Sequence, residues 1–402
     1  MHRIKREHYL KKIAPFIGKN LIKVIVGQRR VGKSYLLFQL MDAVKEKNIK
    51  ANIIYINKEL YEFDHIKNYQ DLLKYVKRKT EAKRKNYVFI DEIQEIADFE
   101  KALRDLWANK KHDIYCAGSN ANLLAGELTT YLSGRYMEIP VYSLSYPEFL
   151  KFHKLKSGKN SLLQYIKYGG MPYLVNLKLN DEYVYDYLKN IYNTILLKDV
   201  VARYQIRNVN LLEGLAEYLA GNVGSLVSAK KISDFLKSQK IKISPSVILN
   251  YLTFLANAFF IFKVPRAEIN GKKIFEINEK YYFEDLGLRH ALIGFKQADI
   301  SKILENLVFA HLKFLGYKIS VGKLGEKEID FIGEKDGKRI YIQVAYLIAD
   351  ENIKKREFGN LLAIKDNYPK IVVSLDEFAA GEYEGVQHIN ILDFLNSGSW
   401  EK

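Results

Sequence analysis

The chain of 402 residues contains a single cysteine, Cys116. That excludes an internal disulfide framework and agrees with a reducing compartment, so a cytoplasmic location is expected. Apolar runs of about eighteen residues, the length a membrane span needs, are also missing. The nearest candidate, 251–262, is interrupted by Thr253 and Asn257 and stops at Lys263, so no membrane partner is expected. The basic N-terminal stretch MHRIKREHYL has no apolar run behind it, and no signal peptide is expected. Internal repeats and low-complexity linkers are absent. Acidic residues are the minority, 47 against 63 Lys and Arg, for a net charge of +16.

A basic balance attracts polyanions through phosphate contacts, but a richness in Ile, Asn and Tyr points to general compositional bias, and the distribution is more informative. Residues 1–50 hold thirteen Lys/Arg against three acids, whereas residues 302–402 hold fourteen against sixteen. A second basic run, Lys74, Lys77, Arg78, Lys79, Lys83, Arg84 and Lys85, faces only Glu81 locally. The length predicts two to four domains. The hydrophobic fraction of 48% and charged fraction of 27% fit a soluble globular protein.

Residues 1–20 carry one apolar stripe at helical spacing. The short apolar runs LIKVIV (21–26), ANIIYIN (51–57), YVFID (87–91), DIYCAG (113–118) and YMEIPVY (136–142) read as buried strands, with helical segments between them. That alternation predicts a parallel sheet in a three-layer α/β domain ending near 150. Residues 151–205 read as helical apart from a turn at Gly169–Gly170–Met171–Pro172. Helices over 211–220, 230–238 and 244–258 follow, then two strands joined at Asn270–Gly271, a hairpin signal. Three helices and a hairpin predict a winged helix over 206–288. Residues 289–402 read as a separate α/β domain: helix 301–315, strands EIDFIG and RIYIQVAYL, a helix, strand KIVVSL, a further strand and a short helix.

The first strand runs into GQRRVGKS (27–34), which has the Walker A spacing and opens a helix. Gly27 and Gly32 let the backbone wrap so that the amides of Gln28, Arg29, Arg30, Val31, Gly32, Lys33, Ser34 and Tyr35 face a phosphate chain at a positive helix end. In that frame Lys33 reaches the β- and γ-phosphates and Ser34 ligates Mg2+. YVFIDE (87–92) supplies the second half, a buried strand ending in two carboxylates. Asp91 would hold the magnesium through water, and Glu92 would polarise the attacking water. ATP and Mg2+ are the cofactors implied.

With these motifs, the chain resembles prokaryotic AAA+ ATPases that carry a C-terminal domain of unknown function. The resemblance covers nearly the whole length and rests on VIVGQRRVGKSYLL, FIDEIQEI, IYCAGSNANLL, YLSGRYMEIPVYSLSYPEFL, KYGGMPYLV, KYYFEDLGLR and YIQVAYLI. It implies an AAA+ core over 1–150, a helical lid over 151–205, a winged helix over 206–288 and a restriction-endonuclease-like domain over 289–402. It also implies a γ-phosphate sensor at the turn holding Ser119 and Asn120, and an arginine finger or a structural arginine at Arg135. A finger acting in trans would require a homo-oligomer.

For the winged helix, duplex DNA and a docked protein are both expected partners. Ser246, Asn250, Thr253 and Asn257 share one face of the third helix, and Lys230, Lys231, Lys272 and Lys273 could contact backbone phosphates. Residues 206–288 hold only eleven basic against eight acidic residues. In the C-terminal domain Glu305, Glu328, Asp330 and Gln343 fall at the acidic positions of the nuclease motif. Gln343-Val344-Ala345 lacks both the second acid and the lysine, though a migrated Lys323 or Lys327 is an alternative. The expectation is a degenerate, non-cleaving fold that docks a protein partner. The function expected overall is a nucleotide-driven ATPase switch acting with DNA. The alternatives are a signalling ATPase with a docked protein and an ATP-gated nuclease.

Overall fold

Strands β1 (Ile22–Val26), β2 (Asn52–Asn57), β3 (Asn86–Asp91), β4 (His112–Gly118) and β5 (Tyr136–Pro140) form one fully parallel sheet. Their order is β2-β3-β4-β1-β5. The computed structural model that shows this describes residues 4–121, 132–269, 274–348, 350–377 and 380–398. Every residue of β1, β3 and β4 is buried, which is why these segments read as continuous apolar runs: both faces of a parallel sheet are covered. The flanking helices are α1 (Glu7–Ile13), α2 (Lys33–Lys47), α3 (Tyr69–Lys79) and α4 (Phe99–Ala108). The expected N-terminal helix over 1–20 is shorter than its stripe, because Pro15 lies in a 3-10 turn, Ala14–Phe16, that ends it. Asn68 caps α3 by accepting from the Gln70 and Asp71 amides, worth about 1 kcal/mol.

Lys23 is a charged residue inside the buried run of β1. Its ammonium donates to the Asp113 carboxylate on β4 and to the Lys19 carbonyl at 3.0 Å. Asp113 also accepts from the Gly18 amide at 2.7 Å and the Tyr115 hydroxyl at 3.0 Å. The pair is essentially sealed from solvent, at 0% and 2% exposure, so each charge depends on the other.

The chain divides into two compact units, Met1–Tyr142 with Asn257–Phe259, and Ser143–Ala256 with Phe260–Lys402. The second unit contains α5 (Tyr146–His153), α6 (Lys159–Tyr168) and α7 (Asp181–Thr194), which runs into a π-helical stretch at Ile195–Ala202. Then come α8 (Val209–Gly221), α9 (Ala229–Ser238), α10 (Pro245–Asn257) and α11 (Leu286–Ile293). Its strands are β6 (Leu226–Val227), β7 (Ile261–Glu268), β8 (Ile274–Phe283), β9 (Lys318–Leu324), β10 (Lys327–Lys335), β11 (Lys338–Val344), β12 (Lys370–Ser374), β13 (Ala380–Tyr383) and β14 (Val386–Asn390). They form a single nine-stranded sheet ordered β13-β14-β12-β11-β10-β9-β7-β8-β6. Helices α12 (Ile300–Phe314), α13 (Glu351–Leu362) and α14 (Ile391–Asn396) complete the unit. Because β7 pairs in parallel with β9 through Arg266–Glu268, the hairpin and the C-terminal strands share one sheet. The boundary expected at 288–289 therefore falls inside one compact unit. The Asn270–Gly271 turn, Lys272 and Lys273 lie outside the described residues.

Three of the motifs that carry the family resemblance meet in this unit. Asp285 caps α11 by accepting from the Leu288 amide at 3.1 Å, and it also accepts from the Gly170 amide at 2.7 Å. A Cβ on Gly169 would stand 2.2 Å from the Asp285 carboxylate, and one on Gly170 would stand 2.4 Å from the Leu144 carbonyl oxygen. Both positions need glycine because the backbones pass too closely for any side chain. Glu284 accepts from the Ser143 amide at 2.6 Å, and the fully buried Arg289 donates to the Ala220 carbonyl and pairs with Asp299. These signatures are held together by buried hydrogen bonds and an ion pair.

Candidate nucleotide-binding site

In a parallel sheet all C-terminal strand ends open on one edge, and ligands bind there where the strand order reverses. Here β1 is flanked by β4 and β5, and its continuation jumps past β4 and β3 to β2. The loop 27–32 lies at that switch point. Gly27 has φ +155°, and a Cβ there would stand 2.1 Å from the Val141 carbonyl oxygen. Gly32 (φ +97°) and Arg30 (φ +70°) are also left-handed, which gives the tight wrap before α2.

The loop is braced from below. Arg6, almost fully buried, donates to the Val31 carbonyl at 3.0 Å and the Tyr142 carbonyl at 2.9 Å. Gln28 is buried and donates to the Phe259 carbonyl at 3.1 Å, and Arg29 pairs with Glu59 at 3.3 Å. The Lys33 ammonium donates to the carbonyls of Gly27 and Gln28 at 3.0 and 2.9 Å, so it closes across the mouth of its own loop. Tyr35 is exposed and stands edge-on to Phe38.

Asp91, at the end of β3, is 1% exposed. Burial pushes its carboxyl up to about 6, the Ser34 hydroxyl hydrogen bond and Lys33 pull it back, and the neighbouring Glu92 raises it further. Glu92 adopts a left-handed backbone (φ 52°, ψ 51°), a strained state costing about 1–3 kcal/mol. Its carboxylate accepts from the Gln94 amide and, at 3.3 Å, from the Ser119 hydroxyl. Ser119 and Asn120, both buried, follow directly on β4, whose Gly118 is level with Val26. Gln94 Oε1 is buried with no hydrogen-bond partner among the described residues, a polar atom left for a ligand or a water. A hydroxyl beside a carboxylate is a hard-oxygen donor set that suits Mg2+, which takes the rest of its shell from water and phosphate. Among the described residues no group of three or more His, Cys, Asp or Glu is placed to hold a metal by itself.

The structure thus brings together Gly27–Ser34, Asp91, Glu92, Ser119 and Asn120. It does not bring Arg135 to them. Arg135 precedes β5, and its carbonyl accepts from the amide of Ile22, the first residue of β1. The loop follows Val26 at the other end, roughly 15 Å away at about 3.3 Å per residue. The Arg135 guanidinium lies 4.6 Å from the centre of the Trp107 ring. The residues that the sequence reading missed are Arg6 and Gln94. Gln94 sits in the quoted FIDEIQEI motif, whereas Arg6 carries no local signal.

The C-terminal acids converge on an unexpected partner. Glu305, Glu328 and Asp330 surround Lys280 of β8 at 2.8, 2.9 and 3.7 Å. The ammonium at that position is that of Lys280, while Lys327 donates to the Gly359 carbonyl at 3.2 Å. Gln343 Oε1 accepts from the Asp330 amide at 3.4 Å.

No helix among the described residues is long and apolar enough to cross a membrane. A family model described as an AAA domain matches residues 19–150, and one described as Domain of unknown function (DUF8612) matches residues 159–299. An uncharacterized protein of Haemophilus influenzae is 40% identical over 399 residues, 98% of each chain. An uncharacterized protein of Methanocaldococcus jannaschii is 32% identical over 365 residues, 86% of this chain and 79% of its own. Among solved structures, the Aeropyrum pernix ORC1 protein in complex with DNA covers 72% of this chain and 93% of its own, at 13% identity and a TM-score of 0.35. Identity at this level along the whole length, with an AAA domain at the phosphate loop, places the chain in the prokaryotic AAA+ P-loop ATPase family that carries a C-terminal region of unknown function.

Proposed function

We propose that the protein binds ATP with Mg2+ at residues 27–35 and hydrolyses it, and that the nucleotide state switches its association with duplex DNA. The observation that carries the ATPase reading is the set Lys33, Ser34, Asp91 and Glu92 on one sheet edge, with Glu92 oriented by Gln94 and Ser119. On this reading the backbone amides of the loop cradle the phosphates, and Lys33 leaves its loop carbonyls for the β- and γ-phosphates. Ser34 and Asp91 hold Mg2+, which offsets charge on the phosphate oxygens. Glu92 accepts a proton from the attacking water, and Asn120 senses the γ-phosphate.

The DNA part rests on residues 206–288 read as a winged helix, between a helical lid over 151–205 and a C-terminal module over 289–402. Lys230, Lys231, Lys237, Lys240 and Lys242 are all exposed on α9 and the turn after it, with Asp234 as the only acid among them. Ser246, Leu249, Asn250 and Thr253 are exposed on α10. Thr253 spends its hydroxyl on the Leu249 carbonyl at 2.8 Å, so Asn250 is the better base reader of the two. A protein partner is the second reading, favoured by exposed Phe235, Ile241 and Leu249 in the same region. ATP turnover measured with and without duplex DNA, over a salt series, tests the proposal. Stimulation that fades with salt supports it; DNA-independent turnover with no salt-sensitive binding refutes the DNA part.

A further inference from the structure

Lys280 is an ammonium 3% exposed in the middle of three carboxylates drawn from α12 and β10. Each carboxylate is also held by something else. Glu305 accepts from the Tyr282 hydroxyl at 2.6 Å, and its other oxygen faces Gly224, where a Cβ would stand 3.0 Å away. Asp330 accepts from the Val344 amide at 2.8 Å, and Glu328 lies 3.8 Å from Arg266. Burial alone would strip Lys280 of its proton, but the charges of Glu305, Asp330 and Glu328 outweigh it and hold the proton more tightly than usual. Burial, reinforced by Glu305, pushes Asp330 the other way, towards the protonated acid.

Three carboxylates converging in a half-buried pocket cannot all stay ionised without a counter-charge. A divalent cation with oxygen ligands is the usual one. We propose that Lys280 is a built-in substitute for that cation. Its ammonium pairs with and orders Glu305, Glu328 and Asp330, ties β8 to α12 and β10, and keeps the centre closed to metal-dependent phosphodiester chemistry. Being part of the chain, it is always present at the site and does not dissociate. An ammonium offers three donors but no open coordination position, so it can neither activate a water nor polarise a phosphate as a metal does. This observation is independent of the amide at Gln343 and the methyl at Ala345. It explains how the pocket keeps its acids while losing the metal-binding pattern.

The test uses the full-length, nucleotide-free protein, with Mn2+ binding counted by electron paramagnetic resonance and melting followed by scanning fluorimetry. In the wild type, Asp330→Asn leaves Mn2+ binding unchanged, and melting is indifferent to Mn2+ and to chelator. Lys280→Met melts lower at pH 8. It recovers on adding Mn2+, or at pH 5.5 where the unpaired acids protonate, and adding Asp330→Asn removes the Mn2+ rescue. Lys280→Arg keeps the charge and stays indifferent to Mn2+. Should Lys280→Met fail to fold, Lys280→Met/Glu305→Gln, with one charge fewer, supplies the same comparison. Wild-type Mn2+ binding that disappears in Asp330→Asn overturns the proposal. So does a Lys280→Met chain that melts like the wild type, or one whose loss neither acid nor Mn2+ restores.

Discussion

Lowering the pH from 7.5 to 5 should weaken the protein's affinity for Mg2+–ATP through one group, Asp91. Burial raises this carboxyl to about 6, against roughly 3.9 in an unfolded chain. A raised carboxyl stabilises the fold fully below the lower value, and that contribution is lost as pH climbs through the higher one. The metal needs the anion, so its preference runs the opposite way. With a midpoint near 6, about 97% of Asp91 is ionised at pH 7.5 and about 9% at pH 5, a tenfold loss of competent sites or ~1.4 kcal/mol. The assay is titration of Mg2+ into protein with a fluorescent ATP analogue at a series of pH values. The nucleotide's terminal phosphate titrates in the same range, so the signal is the difference between wild type and Asp91→Asn. The variant should bind Mg2+ weakly and show only the nucleotide's own slope. Parallel pH profiles for the two proteins would refute the reasoning.

Gly27→Ala should cost at least tenfold in nucleotide affinity, about 1.4 kcal/mol, since its Cβ would stand 2.1 Å from the Val141 carbonyl oxygen; equilibrium binding checks this. Asp113→Asn leaves the sealed Lys23 ammonium without its counter-charge and should destabilise the parallel sheet by about 3–5 kcal/mol. Hydrogen exchange at the β1 and β4 amides reads that loss, and adding Lys23→Met should recover most of it. Replacing Lys230, Lys231 and Lys237 with Ala should flatten the salt dependence of DNA binding by about 0.9 in log–log slope for each lysine that meets a phosphate. An unchanged slope would move those lysines out of the interface.

The phosphate loop and the pair Asp91–Glu92 were legible because their chemistry is local: a strand, a glycine-bearing turn, a helix start, and two acids closing an apolar run. The positions of the five strands of the first sheet were legible for the same reason, through buried runs without alternation. Strand order was not, since parallel pairing joins segments far apart in sequence; the parallel pairing of β5 with β1 is what sets Arg135 at the strand end opposite the loop. β9 (KISVGKL) escaped notice because two lysines and a glycine dilute its apolar pattern, and Gly322 is needed there to pass Ile329, 2.9 Å from where its Cβ would be. The merger of hairpin and C-terminal strands depends on the three-residue β7–β9 pairing, which leaves no mark in composition. Lys280 reads as a strand-face lysine until the fold puts Glu305, Glu328 and Asp330 around it. Arg6 likewise gains meaning only from the Val31 carbonyl it reaches.

The most direct test compares wild type, Lys33→Ala and Glu92→Gln in parallel ATP-binding and ATP-turnover assays. Wild type should bind and hydrolyse ATP, and Lys33→Ala should lose binding. Glu92→Gln should bind ATP but turn it over some 10²–10⁴-fold more slowly, the span expected for loss of a general base. Triphosphate binding that is equal in wild type and Lys33→Ala, or unslowed hydrolysis by Glu92→Gln, would contradict the assignment of this loop and these acids.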